Sequence, residues 1–280
     1  MPSRPRRPGA FRLVTLASDL GAAYAAQIKA VLLRRLPPGS VVDLTHDLRP
    51  HDLREAAFVV RAMAERFPSG SVHLVVVDPG VGGVRAPVVV DCRDRSVLVG
   101  PDNGVLFPLA EALGGGTAYR IDPARLLRSP RVGTTFDGRD VFAPAAAAVA
   151  SGTAPRRLGP RTTLHRLPSA LPRRTRAGAL GAVAHVDRFG NLITDVPASW
   201  VPPGTVALDV TIGRAHARVP FGSSYEHAGR GRAVALGSSF GTLELAVNLG
   251  RASDRWPAPV GTRLRFRWRE APPLALRRKR

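Results

Sequence analysis

Residues 75–85, VVVDPGVGGVR, decide the fold. A run of β-branched apolar residues stops at a carboxylate, Asp78, and gives way to proline and glycine, as a buried strand does when it delivers an acid to the end of a sheet. Pro79 fixes φ, while Gly80, Gly82 and Gly83 let the backbone turn sharply and approach a ligand without a Cβ in the way. Arg85 returns seven residues after Asp78. A charged pair at the carboxyl end of a strand stands where an open α/β sheet carries its chemistry. The same residues also suit a surface turn closed by a salt bridge, and the flanking segments decide between the two.

Upstream, residues 11–17 read as a strand ending in Ser18-Asp19-Leu20-Gly21. Either Asp19 bonds a ligand's hydroxyl groups beside a helix N-terminus, or Ser18 or Asp19 is the helix cap. A helix over residues 22–36 stops at Pro37-Pro38-Gly39. Residues 41–44 form a second strand, followed by Thr45, His46 and Asp47. Residues 50–67 read as a helix with Asp52 and Glu55 in its first turn and apolar positions at 53, 56, 57, 60 and 63. His46 and His51 lack partners at metal-ligand spacing; His46 reads as a hydrogen-bonded strand end and His51 as a cleft wall. The strand–helix alternation predicts a mainly parallel sheet with right-handed crossovers.

Downstream, residues 87–91 and 96–99 read as a hairpin around Arg93-Asp94-Arg95. Gly100-Pro101-Asp102-Asn103-Gly104 is a second polar loop, before a helix over 105–113. Residues 134–140 are a third, before a helix over 141–150 with Pro144 near its start. Several strand ends thus place small or acidic residues on one rim, the usual design of an α/β active site. Periodicity fades from residue 151, and from 178 short alternating segments (180–186, 205–211, 215–219, 233–236, 243–247, 263–268) predict an all-β domain. The expected organisation is a disordered basic tail over 1–10, an α/β catalytic domain over 11–160, a linker over 161–177, a barrel-like β domain over 178–270 that binds substrate, and a basic tail over 271–280. No Walker loop, GxGxxG, GxSxG or HExxH motif occurs.

The 280 residues suffice for two domains. Hydrophobic residues make up 44% of the chain, and no apolar run approaches the ~20 residues of a membrane span. The N-terminus has no apolar segment of the signal-peptide kind, so a cytoplasmic protein is expected. The single cysteine, Cys92, excludes an intramolecular disulfide and a cysteine-based zinc cluster, and reads as a packed strand residue. A net charge of +20 would ordinarily point to nucleic acid. The bases are almost all arginine, gathered in the tails and the linker and not interleaved with aromatics; nucleic acid is therefore not expected as the primary partner.

The set Ser18-Asp19-Leu20-Gly21, Asp43-Leu44-Thr45-His46, VVDPGVGGVR, Gly100-Pro101-Asp102-Asn103-Gly104, Thr135-Phe136-Asp137-Gly138-Arg139-Asp140, Asp187-Arg188-Phe189-Gly190-Asn191 and Ser239-Phe240-Gly241-Thr242-Leu243-Glu244 runs in one order along the chain. It resembles the S-adenosyl-L-methionine hydroxide adenosyltransferases, hydrolase relatives of the fluorinating and chlorinating S-adenosylmethionine enzymes. The resemblance covers nearly the whole chain apart from the tails. It implies a homotrimer whose active sites lie between the N-terminal domain of one subunit and the C-terminal domain of the next. It also implies displacement at ribose C5′ by water, giving adenosine and L-methionine with no metal or organic cofactor. Of the aspartate, arginine and histidine that activate the water in that family, the first two fall on Asp78 and Arg85. The third falls on Asp137, a departure.

A second carboxylate beside Asp78 could supply a general base, as paired acids do, or Asp137 could be neutralised by Arg85 or Arg139. For the substrate, the resemblance implies Asp19 on the ribose hydroxyls and Phe136 and Gly138 beside the reacting carbon. It implies Asp187 on the methionine ammonium, Phe189 and Asn191 at the adenine, and Ser239 and Phe240 at the methionine carboxylate. Tyr225 is a candidate stacking wall, and Val247 a source of backbone contacts to adenine. The loop after Asp19 is a second departure, about two residues shorter than the family's and with alanine where an acid is common. Two alternatives remain open: a 5′-halogenase, against which the charge of Asp78 argues, and a catalytically weak S-adenosylmethionine or adenosine binder.

Overall fold

The structure is a computed structural model that describes residues 11–126, 133–168 and 172–270. The tails 1–10 and 271–280 lie outside the described residues. The chain divides into two compact units, Met1–Pro168 and Ser169–Arg280.

In the first unit β1 (Val14–Ser18) leads to α1 (Gly21–Leu33), β2 (Val41–Thr45) to α2 (Leu53–Ala64), and β3 (Val72–Val76) to the loop bearing Asp78. After the hairpin of β4 (Pro87–Cys92) and β5 (Val97–Pro101) come α3 (Phe107–Ala112), β6 (Gly116–Arg120), α4 (Ala143–Ala150) and β7 (Arg161–Thr162). The sheet order is β2-β1-β3-β5-β4-β6-β7. β2, β1, β3 and β5 pair in parallel, and β4, β6 and β7 continue antiparallel. Because two reversals restore direction, β6 runs with the parallel four, and five of the seven strands point one way.

The parallel strands β1, β3 and β5 are buried along their whole length, which their apolar runs require in a sheet covered on both faces. Ala25, Ile28 and Leu32 of α1 and the alanines of α4 share one core with Val14, Leu16, Leu74 and Val76. From β1 the chain crosses to β2 on one side, then returns past β1 to β3 on the other. That reversal opens a crevice outside the carboxyl ends of β1 and β3, where Asp19 and Asp78 stand. α2 starts later than the expected residue 50, because Asp52 caps it by accepting from the backbone N–H groups of Arg54 at 3.2 Å and Glu55 at 3.0 Å, and it ends at Ala64 rather than 67. Cys92 is buried at the end of β4.

One buried pair under this sheet makes its stability depend on pH. His73, 1% exposed, places Nδ1 2.8 Å from Thr15 Oγ1 on the adjacent strand. Burial pushes the imidazole pKa down to about 4. The unfolded chain therefore binds a proton that the folded chain refuses between pH ~6.5 and ~4, and stability falls as pH falls through that window, by about 3 kcal/mol for this group. Urea melts of the parent and of His73→Gln over this range should diverge in slope; parallel slopes would show that His73 does not carry the dependence.

The second unit is a strongly curved antiparallel sheet. Its strands are β8 (Arg173–Thr175), β9 (Gly178–Val186), β10 (Leu192–Pro197), β11 (Thr205–Ile212), β12 (Ala215–Pro220), β13 (Ala233–Gly237), β14 (Thr242–Val247) and β15 (Arg263–Glu270), with α5 (Ala252–Arg255) before the last. The order is β12-β11-β15-β9-β10-β14-β13, with β8 paired to β9. Phe221, just past β12, bridges to Ala235 of β13, and Gly222 N donates to Ala235 O at 3.0 Å. The sheet thus nearly closes, which protects its edges. Leu192, Val196, Leu208, Leu245 and Phe266 fill the interior. Residues 161–177, expected as a linker, contribute β7 and β8, and β10 lies outside the segments read as strands. No helix among the described residues is long and apolar enough to cross a membrane.

Candidate active site

Asp19 follows β1, and its Oδ2 accepts from His51 N at 3.0 Å. His51, expected as a cleft wall, acts here through its backbone, held at φ 67° in the left-handed region. Behind Asp19, Ser18 Oγ lies 2.9 Å from His46 Nδ1, His46 Nε2 lies 3.1 Å from Asp43 Oδ1, and Lys29 Nζ donates to Asp43 Oδ2 at 2.7 Å. Burial opposes ionisation of Asp43, but Lys29 and His46 outweigh it and hold the carboxyl below its usual range. The residue types are those of a hydrolytic triad, yet Ser18 is fully buried, so no substrate reaches its hydroxyl. The chain of contacts instead ties the ends of β1 and β2 together and fixes Asp19.

Asp78, Arg85 and Asp137 converge. Arg85 forks onto Asp78, Nε donating to Oδ1 at 2.8 Å and Nη2 to Oδ2, and the same Nη2 donates to Asp137 Oδ2 at 2.6 Å. The three side chains are 8%, 10% and 6% exposed, and the guanidinium lies 5.3 Å from the Phe142 ring centroid. Burial alone would lower the Arg85 pKa; the hydrogen bonds to both carboxylates outweigh it and raise it. One guanidinium thus bridges two carboxylates. Arg139, the other expected partner of Asp137, pairs with Asp140 at 2.7 Å.

Loop geometry sets this convergence. Asn103 Nδ2 donates to Val77 O at 2.9 Å and fixes the strand end just before Asp78. Gly82 has φ 76°, and a Cβ there would meet Thr134 O at 3.0 Å, so the loop from β3 lies against the segment that brings in Asp137. The expected loop over 134–140 is already helical at Gly138: residues Gly138–Phe142 form a π-turn continuous with α4. Pro144 lacks an N–H for a regular helical bond and its ring crowds the preceding turn, and a widened turn relieves both. Phe136, beside it, packs edge-on against Tyr24 at 5.5 Å.

Gly138 is sterically required at this turn. A Cβ there would lie 2.9 Å from Val76 Cγ1 and 3.2 Å from both Ile28 Cδ1 and Phe136 Cε2. Gly138→Ala is expected to cost about 1–3 kcal/mol by overpacking and to displace Asp137. A variant with unchanged melting temperature and turnover would refute the requirement.

The second unit holds a separate set. Asp187 Oδ1 accepts from the N–H groups of Phe189 and Asn191, both at 2.9 Å, and Oδ2 from Asn191 Nδ2 at 3.0 Å. Its carboxylate has about four acceptor positions, so it is rigidly oriented with capacity to spare. Phe189 is 66% exposed and Tyr225 44%. Tyr225 Oη donates to Glu244 Oε1 at 2.9 Å. Burial, then Glu244, pushes the Tyr225 pKa up to about 12, and burial together with nearby Asp187 raises that of Glu244. Ser239 is exposed on the β13–β14 turn, and the Phe240 ring lies 5.9 Å from that of His185. Val247 ends β14.

Sequence reasoning did not single out Glu244, Asn103 or the Ser18–His46–Asp43 chain. Glu244 sits in the strand TLELAV, on the face opposite Leu243 and Leu245, and only the burial of both faces reveals that the acid is covered. No cluster of three or more His, Cys, Asp or Glu side chains placed to hold a metal ion occurs among the described residues.

A parallel sheet with acids at its crevice, joined to a β-barrel-like unit with an acid-centred turn, defines a two-domain class. The chain belongs to the S-adenosyl-L-methionine (SAM) hydroxide adenosyltransferase family: residues 14–159 match that family's N-terminal domain and residues 181–265 its C-terminal domain. It is 42% identical over 264 residues to an (R)-S-adenosyl-L-methionine hydrolase of Thermus thermophilus, covering 87% of this chain and 95% of that protein. A hydrolase of the same name from Salinispora tropica is 37% identical, with 90% and 96% covered. The crystal structure of an uncharacterized conserved protein from Thermotoga maritima superimposes with TM-score 0.85 at 31% identity, covering 91% of this chain and 99% of that one. A fluorinase of Nocardia brasiliensis is more distant, at 26% identity over 87% of this chain and 91% of its own.

Proposed function

We propose that this protein hydrolyses SAM to adenosine and L-methionine by attack of water on ribose C5′. The observation that carries the reading is the buried Asp78–Arg85–Asp137 cluster, whose guanidinium holds two carboxylates at the crevice of the parallel sheet. The sulfonium leaves as a neutral thioether, so the reaction needs no metal or organic cofactor; what it needs is a desolvated, aligned oxygen nucleophile. As the O–C5′ bond forms, the C5′–S bond breaks and its electron pair stays on sulfur. The water's proton passes to a carboxylate of the cluster and then to solvent. Asp78 keeps acceptor capacity after taking the guanidinium, because each carboxylate oxygen accepts two hydrogen bonds. The carboxylate of Asp78, with acceptor capacity to spare, suits a cationic substrate.

In this reading Asp19 takes the ribose hydroxyls, Phe136 and Gly138 border the reacting carbon, and Asp187 receives the methionine ammonium. Phe189, Asn191, Tyr225 and the Val247 backbone surround adenine, while Ser239 and Phe240 meet the methionine carboxylate. Glu244 adds to these by holding the Tyr225 hydroxyl. A homotrimer belongs to the same reading, and sedimentation at a mass other than three chains would remove it.

The test is incubation of purified protein with SAM, with and without chloride or fluoride, followed by mass detection. Adenosine and methionine in equal amounts, independent of halide, are expected. A 5′-halogenated nucleoside would make the protein a halogenase, which the negative charge at Asp78 disfavours. Unchanged SAM that nonetheless binds in calorimetry would make it a binding protein and contradict the proposal.

A further inference from the structure

The second unit carries a basic face that the proposed reaction leaves unused. In β15, Leu264 and Phe266 point into the core while Arg263, Arg265, Arg267 and Arg269 are exposed. Residues opposite one another in antiparallel register share a face of the sheet. Arg265 stands opposite Thr211, which faces His216, and on its other side opposite Leu180, which faces Arg173. Arg267 stands likewise in line with Asp209 and Arg218. Asp209, an acid of this face, is taken by Arg218 at 2.7 Å and Arg269 at 2.6 Å. Arg173, Arg263, Arg265 and Arg267 have no acidic partner among the described residues.

Alternate residues along a strand are about 6.8 Å apart, on the order of the separation of successive phosphates along one nucleic-acid strand. A straight row of cations suits a linear polyanion, and guanidinium groups suit phosphate. Among the described residues no exposed Phe, Tyr or Trp lies on β8, β9, β11, β12 or β15, so this face offers neither a stacking platform of large rings for bases nor one to insert into a membrane. We propose that it binds the phosphodiester backbone of nucleic acid without sequence preference. The sequence argues against such a partner, because its arginines gather in the tails and the linker without interleaved aromatics; the register of the sheet reveals a further row on one face.

The test is fluorescence anisotropy of a labelled DNA duplex of mixed sequence, titrated with the full chain over a range of KCl concentrations. The triple variant Arg263→Ser, Arg265→Ser, Arg267→Ser should bind at least about tenfold more weakly, with a salt slope smaller by about 2.7, at ~0.9 per lost phosphate contact. The equally charged control Arg156→Ser, Arg157→Ser, Arg161→Ser, on exposed residues of the first unit, should bind like the parent. The triple Arg→Lys variant at 263, 265 and 267 should stay within a few-fold. If the serine triple does not fold, Arg265→Ser alone, with a slope change of about 0.9, carries the test. Equal weakening by the control would show bulk charge only. That result, the absence of duplex binding, or binding to phosphatidylserine vesicles but not to the duplex would overturn the proposal.

Discussion

Replacing Arg85 by alanine is expected to damage stability and turnover together. The guanidinium is the shared partner of two carboxylates that are 8% and 6% exposed, and its removal takes that ion pair from two buried acids. Breaking a buried pair by removing one partner typically costs about 3–5 kcal/mol, and losing a donor that organises the reacting groups lowers turnover by on the order of 10²–10³. Arg85→Lys should recover part of the stability but little of the rate, because an ammonium cannot fork across Asp78 and reach Asp137 at once. Denaturant melts at neutral pH and SAM turnover measure the two effects. A fully active alanine variant of unchanged stability would mean that the cluster is neither structural nor catalytic.

The second large effect is expected at Asp137. Asp137→Ala should lower kcat by about 10²–10⁴, the range of a positioned acid or base, while SAM affinity changes only a few-fold, because the group acts mainly in the transition state. Equal losses in both would make Asp137 a binding residue. Asp137→His is the sharper substitution. It places a neutral or cationic ring beside Arg85 in place of the second carboxylate, and it should retain more activity than alanine. Turnover above the parent would mean that histidine is the better water-activating group at this position and that the paired-acid cluster is a weaker variant of it.

Much of this architecture is legible in the sequence because local and global signals agree. Residues 75–85 combine a β-branched run with proline and glycine, and the structure places Asp78 and Arg85 together at the sheet crevice. What escapes the sequence depends on register or on three-dimensional crowding. The helical start at Gly138 is hidden because Thr-Thr-Phe-Asp-Gly reads as a loop, and only the contacts of a missing Cβ with Val76 and Ile28 explain the glycine. β10 is obscured by its polar turn and by Pro197. Glu244 looks like an ordinary polar position of an alternating strand between Leu243 and Leu245, although it is itself buried, 3% exposed. Whether Arg85 or Arg139 partners Asp137 also lies beyond sequence, since Arg139 is the nearer in the chain and turns to Asp140.

The most direct test of the central claim follows oxygen through the reaction. SAM incubated with the protein in oxygen-18 water should give adenosine labelled at the 5′ oxygen and unlabelled methionine, since water attacks C5′ and the thioether leaves. Unlabelled adenosine, label in methionine, or no cleavage of the C5′–S bond would contradict the assignment of Asp78, Arg85 and Asp137 to water activation.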